Sequence, residues 1–148
     1  MTDTTFKTPW HLWAVGMLAV LFNGVGAFDH AMKLAQGAAY LESAGMTPAQ
    51  IAYYQELPAW MQLVWATGVW SAMLGSVFIL ARRHWAFPVF AVSLTAFALN
   101  LFYMYILSAG GAIMGPPMMI ASVVITAFLV FFLWYARAMA RWACCANL

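Results

Sequence analysis

Three amides, Asn23, Gln62 and Asn100, lie inside stretches where nearly every other side chain is apolar. An amide surrounded by hydrocarbon has to find a hydrogen-bonding partner, so each of the three must face another helix, a polar space or a ligand. Helical periodicity places Asn23 on one face with Gly16, Ala19, Ala27 and His30. It likewise groups Asn100 with Ser93, Ala96 and Tyr103. Threading these helices antiparallel brings Asn23 and Asn100 to similar depth, with Gln62 nearer the outer surface. The chemistry expected of such a set is recognition: a polar chamber opening outward, with Asp29, His30 and Tyr54 near its rim. The candidate ligand-binding residues are therefore Asn23, Asn100, Gln62, Tyr103, Asp29, His30 and Tyr54. The same amides can also serve as hydrogen bonds between helices with no ligand involved. Both readings stand at this stage.

Gly68, Ala72 and Ser76 form a small-xxx-small ladder, with Ser71 and Gly75 beside it. Without a hydrophobic force between helices in lipid, small residues permit the close approach that dispersion and hydrogen bonding require. The ladder is a helix-packing surface, either within one chain or between copies in a homodimer or larger membrane complex.

Other chemistries have weaker footing. Asp29 and His30 are adjacent, so on a helix their side chains diverge by about 100° and form no acid–base pair. No paired carboxylates, nucleophile–base motif or phosphate-binding glycine loop is present, and no catalytic residue is assigned. His11 and His84 fall at helix starts, a poor arrangement for holding haem between helices. Met114, Met118 and Met119 resemble a thioether cluster for Cu(I), although methionine is equally a plain apolar residue. Haem or copper binding is the third-ranked reading, and no metal site or cofactor is assigned. Cys144 and Cys145 are adjacent and read as free thiols. A net charge of +2 with no basic run gives no reason to expect a nucleic-acid partner.

The elements that must position these residues follow from composition. Of 148 residues 66% are hydrophobic and 7% charged, whereas a soluble domain carries roughly a quarter charged residues. Too few charges remain to clothe a water-facing surface, so the partner is the lipid bilayer. Four apolar stretches, 9–28, 58–81, 86–108 and 116–135, are long enough to cross a bilayer core, which takes roughly 20 helical residues. Prolines 9, 48, 58, 88, 116 and 117 all fall near helix starts, where a missing N–H costs least. The first stretch is expected to be a retained helix, since Lys7 is offset by Asp3 and gives no positive n-region.

Flanking charges set the orientation. With the N-terminus inside, Lys7, Arg82, Arg83, Arg137 and Arg141 face the cytoplasm against Asp3, while Lys33 lies outside with Asp29, Glu42 and Glu56. Aromatic belts agree: Trp10, Trp13, Trp85, Trp134 and Tyr135 on the inner side, and Tyr53, Tyr54, Trp60, Tyr103 and Tyr105 on the outer. The i,i+4 pair Asp29–Lys33 carries the first helix beyond the membrane, to a stop at Gly37. Thr47-Pro-Ala-Gln50 has the form of a capping box and starts a short helix ending before Pro58. The fold expected is an all-α, single-domain, four-helix membrane bundle with both termini cytoplasmic and a helical loop between the first and second spans.

Pro9-Trp-His-Leu-Trp13, Asn23 with Gly26-Ala-Phe-Asp29, Pro58-Ala-Trp60, Trp65-Ala66, Val69-Trp70, Leu74-Gly-Ser76 and Trp85-Ala-Phe-Pro88 together carry a likeness. The chain resembles small, poorly characterised bacterial inner-membrane proteins often labelled "sugar transporter". That resemblance implies an inner-membrane location and brings no catalytic or binding residues with it. The leading expectation is a non-catalytic accessory or scaffold subunit, or a small-ligand binder. A small-solute, sugar-like transporter acting as an oligomer is the alternative.

Overall fold

The computed structural model describes residues 10–145, with side chains through residue 141. Lys7 and Pro9 and the thiols of Cys144 and Cys145 lie outside the described residues. The chain is an all-α membrane bundle. Helix α1 (Trp10–Gln36) is followed by α2 (Ala38–Ser43) and α3 (Pro48–Gln55), then α4 (Ala59–Leu80), α5 (Ala86–Phe102), a π-helical turn (Tyr103–Leu107) and α6 (Gly110–Cys145). Four segments are long and apolar enough to span a membrane: Trp10–Gln36, Ala59–Leu80, Ala86–Leu107 and Gly110–Arg141.

Local chemistry sets the boundaries. Gly37 adopts φ 57 and stops α1, a conformation that a side chain rarely tolerates. Thr47 accepts a hydrogen bond from the Gln50 amide, and the Gln50 side chain returns one to the Thr47 amide, so α3 begins in a complete capping box with Pro48 in its first turn. α4 ends in a tight turn in which the Arg83 amide bonds the Phe78 carbonyl at 2.9 Å and Arg82 takes the left-handed position at φ 56. Inside α6, Gly115 at φ 70 and ψ −172 breaks the helix. The long span then restarts on Pro116 and Pro117, whose fixed φ suits a first turn.

α4 packs along α1 and α5, and α5 packs along α6. Small residues permit this. A Cβ on Gly68 would stand 3.4 Å from that of Ala96, and one on Gly75 would meet the Phe90 ring at 2.8 Å. Gly68, Ala72, Gly75 and Ser76 are all buried inside the bundle. The fourth contact of the ring, between α1 and α6, differs. Backbone approach is sparse there, and side chains bridge the gap: Phe22 stacks on Phe128 with centroids 4.3 Å apart, and His11 Nδ1 lies 2.8 Å from the Tyr135 hydroxyl. Phe90 and Phe132, both fully buried, fill the centre at this level. They form a dry aromatic core in the half of the bundle nearer the α4–α5 turn.

Candidate functional site

Above that aromatic core the bundle is hollow. A cavity of about 600 Å³ occupies the half of the bundle nearer α2 and α3 and is walled by all four spanning segments and by α3. Its floor is Phe22, Phe97, Ile125 and Leu129, and its rim carries Asp29, Lys33, Tyr40, Tyr53 and Tyr54.

Asn23 is the best-placed polar group. It is 7% exposed because the glycine and alanine residues on its face let α1 approach α4. Its amide nitrogen donates to the Ala19 carbonyl at 3.0 Å and across the interface to Ser76 Oγ at 2.9 Å. The Ser76 hydroxyl in turn donates a hydrogen bond to the Ala72 carbonyl. Asn23 Oδ1 accepts no hydrogen bond from the described residues, and Asn23 lines the cavity. Asn100, on α5, lines the opposite wall, and its amide makes only a long contact to Met61 Sδ at 3.7 Å. The two amides share the chamber and are not bonded to each other. Ser93, also in the wall, is committed to the Gly68 carbonyl at 2.8 Å.

At the rim, Lys33 and Asp29 pair at 2.8 Å, and Tyr40 donates to Asp29 at 3.0 Å. The Lys33 ammonium also sits over two aromatic faces, 4.3 Å from the Trp65 centroid and 4.9 Å from that of Tyr54. Those two rings stack on each other at 5.4 Å. Burial pushes the Tyr54 hydroxyl up to about 12, with the Asp29 charge adding to it. Tyr53 shares a hydrogen bond with Ser108 at 2.9 Å and ties α3 to the start of α6. The π-helical turn adds a residue at the end of α5, and both Tyr103 and Met104 reach the cavity wall there.

Of the seven residues expected in the chamber, Asn23, Asn100, Tyr103, Asp29 and Tyr54 line it. Gln62 and His30 do not. Gln62 points outward and bonds the Leu57 carbonyl at 3.1 Å, serving the first turn of α4. His30 is buried between α1 and α4, edge-on to Trp65 at 5.5 Å and to Trp70 at 6.3 Å, and its Nδ1 lacks a partner among the described residues. The helical face was read correctly there, but its last residue turns away from the hollow. Sequence reasoning missed Trp65 and Met61 as wall residues. Trp65 is three residues before Gly68, on the ladder's own face, and that spacing was the available signal. Tyr135 lies level with His11 at the start of α1 but faces the bundle interior, 6% exposed and hydrogen-bonded to that histidine.

Among the described residues no three His, Cys, Asp or Glu side chains come together as a metal site. Met114 is buried and Met119 is 55% exposed, so the methionine run does not converge on one point. Compared with protein-family models, curated proteins and solved structures, the chain matches none of them.

Proposed function

We propose that this chain is a non-catalytic, multi-pass inner-membrane protein that binds a small ligand in the cavity above the aromatic core. The observation that carries the reading is the cavity itself, with Asn23 in its wall and its amide oxygen left without a donor among the described residues. A hollow of about 600 Å³ falls inside the usual range for ligand sites, about 300–1,000 Å³, and mostly apolar walls with a few convergent polar groups are the usual composition. A scaffold role draws less support, because the small-residue ladder is consumed within the bundle. Catalysis draws less still: the rim's one acid and one base neutralise each other at 2.8 Å.

The positive-inside bias supports placing the cavity at the extracytoplasmic side with both termini in the cytoplasm. The resemblance to small bacterial inner-membrane proteins points to the same membrane. Solute transport is the second reading, favoured by the aromatic and charged rim. It requires Phe22, Phe90, Phe128 and Phe132 to part, because these rings close the half nearer the α4–α5 turn.

Native mass spectrometry of gently extracted protein tests the proposal. A non-covalent companion of a few hundred daltons is expected on the wild type and should be lost from Val64→Trp, which fills the cavity from the α4 wall. A companion retained in full by Val64→Trp, or none on the wild type, sinks the reading.

A further inference from the structure

The cavity opens sideways. Val25 and Phe28 on α1 line it, yet they are 70% and 62% exposed. Gly26 on α1 and Ala121 on α6 also line it and are also exposed. Residues that belong both to a cavity wall and to the outer surface stand at an opening, and these four flank the α1–α6 gap. On the α2–α3 side of the Phe22–Phe128 stack no hydrogen bond or ring contact joins α1 to α6 among the described residues; the His11–Tyr135 bond lies at the other end. The exposed faces of both helices are apolar at this level, with Leu18, Leu21 and Val25 on one and Ile120, Val123 and Val124 on the other. The gap therefore faces hydrocarbon.

We propose, building on the ligand-binding reading above, that the ligand is an uncharged, lipid-soluble molecule carrying hydroxyl or carbonyl groups, which reaches the cavity laterally from the bilayer between α1 and α6. Three features carry this. The portal opens to hydrocarbon, so the ligand must be soluble there. The walls include Met61, Val64, Val69, Phe97, Leu101 and Ile125, so a hydrated sugar would leave most of its hydroxyls unpaired. The lining's one cation and one anion are already paired, so a net-charged head would leave an uncompensated charge in a half-buried site. What the site offers is neutral hydrogen bonding. Asn23 Oδ1, Asn100 Oδ1 and the hydroxyls of Tyr54 and Tyr103 accept no hydrogen bond among the described residues, and all four residues line the cavity. A ligand hydroxyl placed against Asn23 would donate to an amide oxygen that accepts no hydrogen bond from the described residues.

Two glycines give a clean test. A Cβ on Gly26 or on Gly24 meets nothing within 4 Å, so neither substitution clashes where its side chain leaves the backbone. Gly26 lines the portal and Gly24 does not. Full-length protein in phosphatidylcholine nanodiscs is irradiated with a diacylglycerol bearing a diazirine in its acyl chain, and labelled residues are mapped by peptide mass spectrometry. Met61 is 1% exposed and Met104 is 7% exposed, and both line the cavity, so label on them reports occupancy of the interior.

The wild type should be labelled at Met61 or Met104. Gly26→Trp should cut that labelling about tenfold, and Gly24→Leu should leave it unchanged. Label confined to outward residues such as Leu21 and Val130 overturns the proposal, as does interior labelling indifferent to Gly26→Trp. A phosphatidic acid carrying the same diazirine should label the interior at least about tenfold less, and equal labelling removes the neutral-head assignment. An aryl-azide glucoside supplied in water separates the two levels of inference. If it labels Met61 in wild type and in Gly26→Trp alike, the cavity binds a ligand from the aqueous side and lateral access is wrong. If neither probe reaches Met61, both readings fall.

Discussion

Among the described residues, the hydrogen bond from Asn23 to Ser76 is the one side-chain hydrogen bond joining α1 to α4, and its worth can be worked out. Ser76→Ala removes the acceptor while changing volume little, and it strands one N–H of Asn23 beside the cavity. Asn23→Ala removes both donated bonds, at 3.0 Å to Ala19 and 2.9 Å to Ser76, and enlarges the hollow. Bonds of this kind in membranes are worth roughly 0.6 kcal/mol on average and about 1.7 at most, because the unfolded chain in lipid finds other partners. Asn23 is 93% buried, which puts the pair in the upper half of that range. The double-mutant cycle should therefore give a coupling of about 1–1.5 kcal/mol. The assay is reversible unfolding in mixed micelles followed by far-ultraviolet circular dichroism. The matched Asn23/Asn100 cycle should give a coupling near zero without ligand, since those amides are not bonded to each other. A coupling under about 0.3 kcal/mol for Asn23/Ser76 would mean that the bond does not hold α1 to α4, and the positioning of the cavity wall would need another cause.

Gly75→Ala should destabilise by about 1–3 kcal/mol, because the new Cβ lies 2.8 Å from a Phe90 ring that is itself fully buried. Gly24→Ala, with open space around it, should be neutral or stabilising by up to roughly 1 kcal/mol in the same unfolding assay. For topology, a membrane-impermeant maleimide added to intact cells should label Glu42→Cys and spare Cys144 and Cys145; external labelling of the native thiols reverses the orientation. Tyr54 should keep its proton until near pH 12, so its ring-carbon NMR signal should titrate about two units above an exposed tyrosine. Because the folded state holds that proton more tightly, Tyr54 contributes stability that is full below pH 10 and lost as pH rises towards 12. A Tyr54 titration at the ordinary value of 10.0 would place its hydroxyl in water rather than in the wall.

Much of this was legible in the chain. The face Gly16–Ala19–Asn23–Ala27–His30 is the buried face of α1 because a helix repeats every 3.6 residues and polar groups avoid lipid. Gly37 and Thr47-Pro-Ala-Gln50 were readable because a left-handed stop and a capping box are local chemistry. The residues that escaped were set by tertiary geometry. Gln62 and His30 carry polar groups like those of Asn23, but one serves its own helix end and the other is turned into the α1–α4 seam. The π-helical turn was hidden because apolar spans look alike whether the helix is regular or interrupted, whereas the restart at Pro116 was legible from the two prolines themselves. The α1–α6 gap leaves no mark in either helix alone, since a lipid-facing residue and a portal-lining residue are both simply apolar.

The central claim is that the loop-side half of the bundle is a ligand site, and an experimental density map of the protein in native-lipid nanodiscs tests it most directly. The account predicts non-protein density in the hollow above Phe22 and Phe97, within hydrogen-bonding distance of Asn23 and continuous with the α1–α6 gap. A map in which α1 and α6 close on each other and side chains fill the hollow would contradict it.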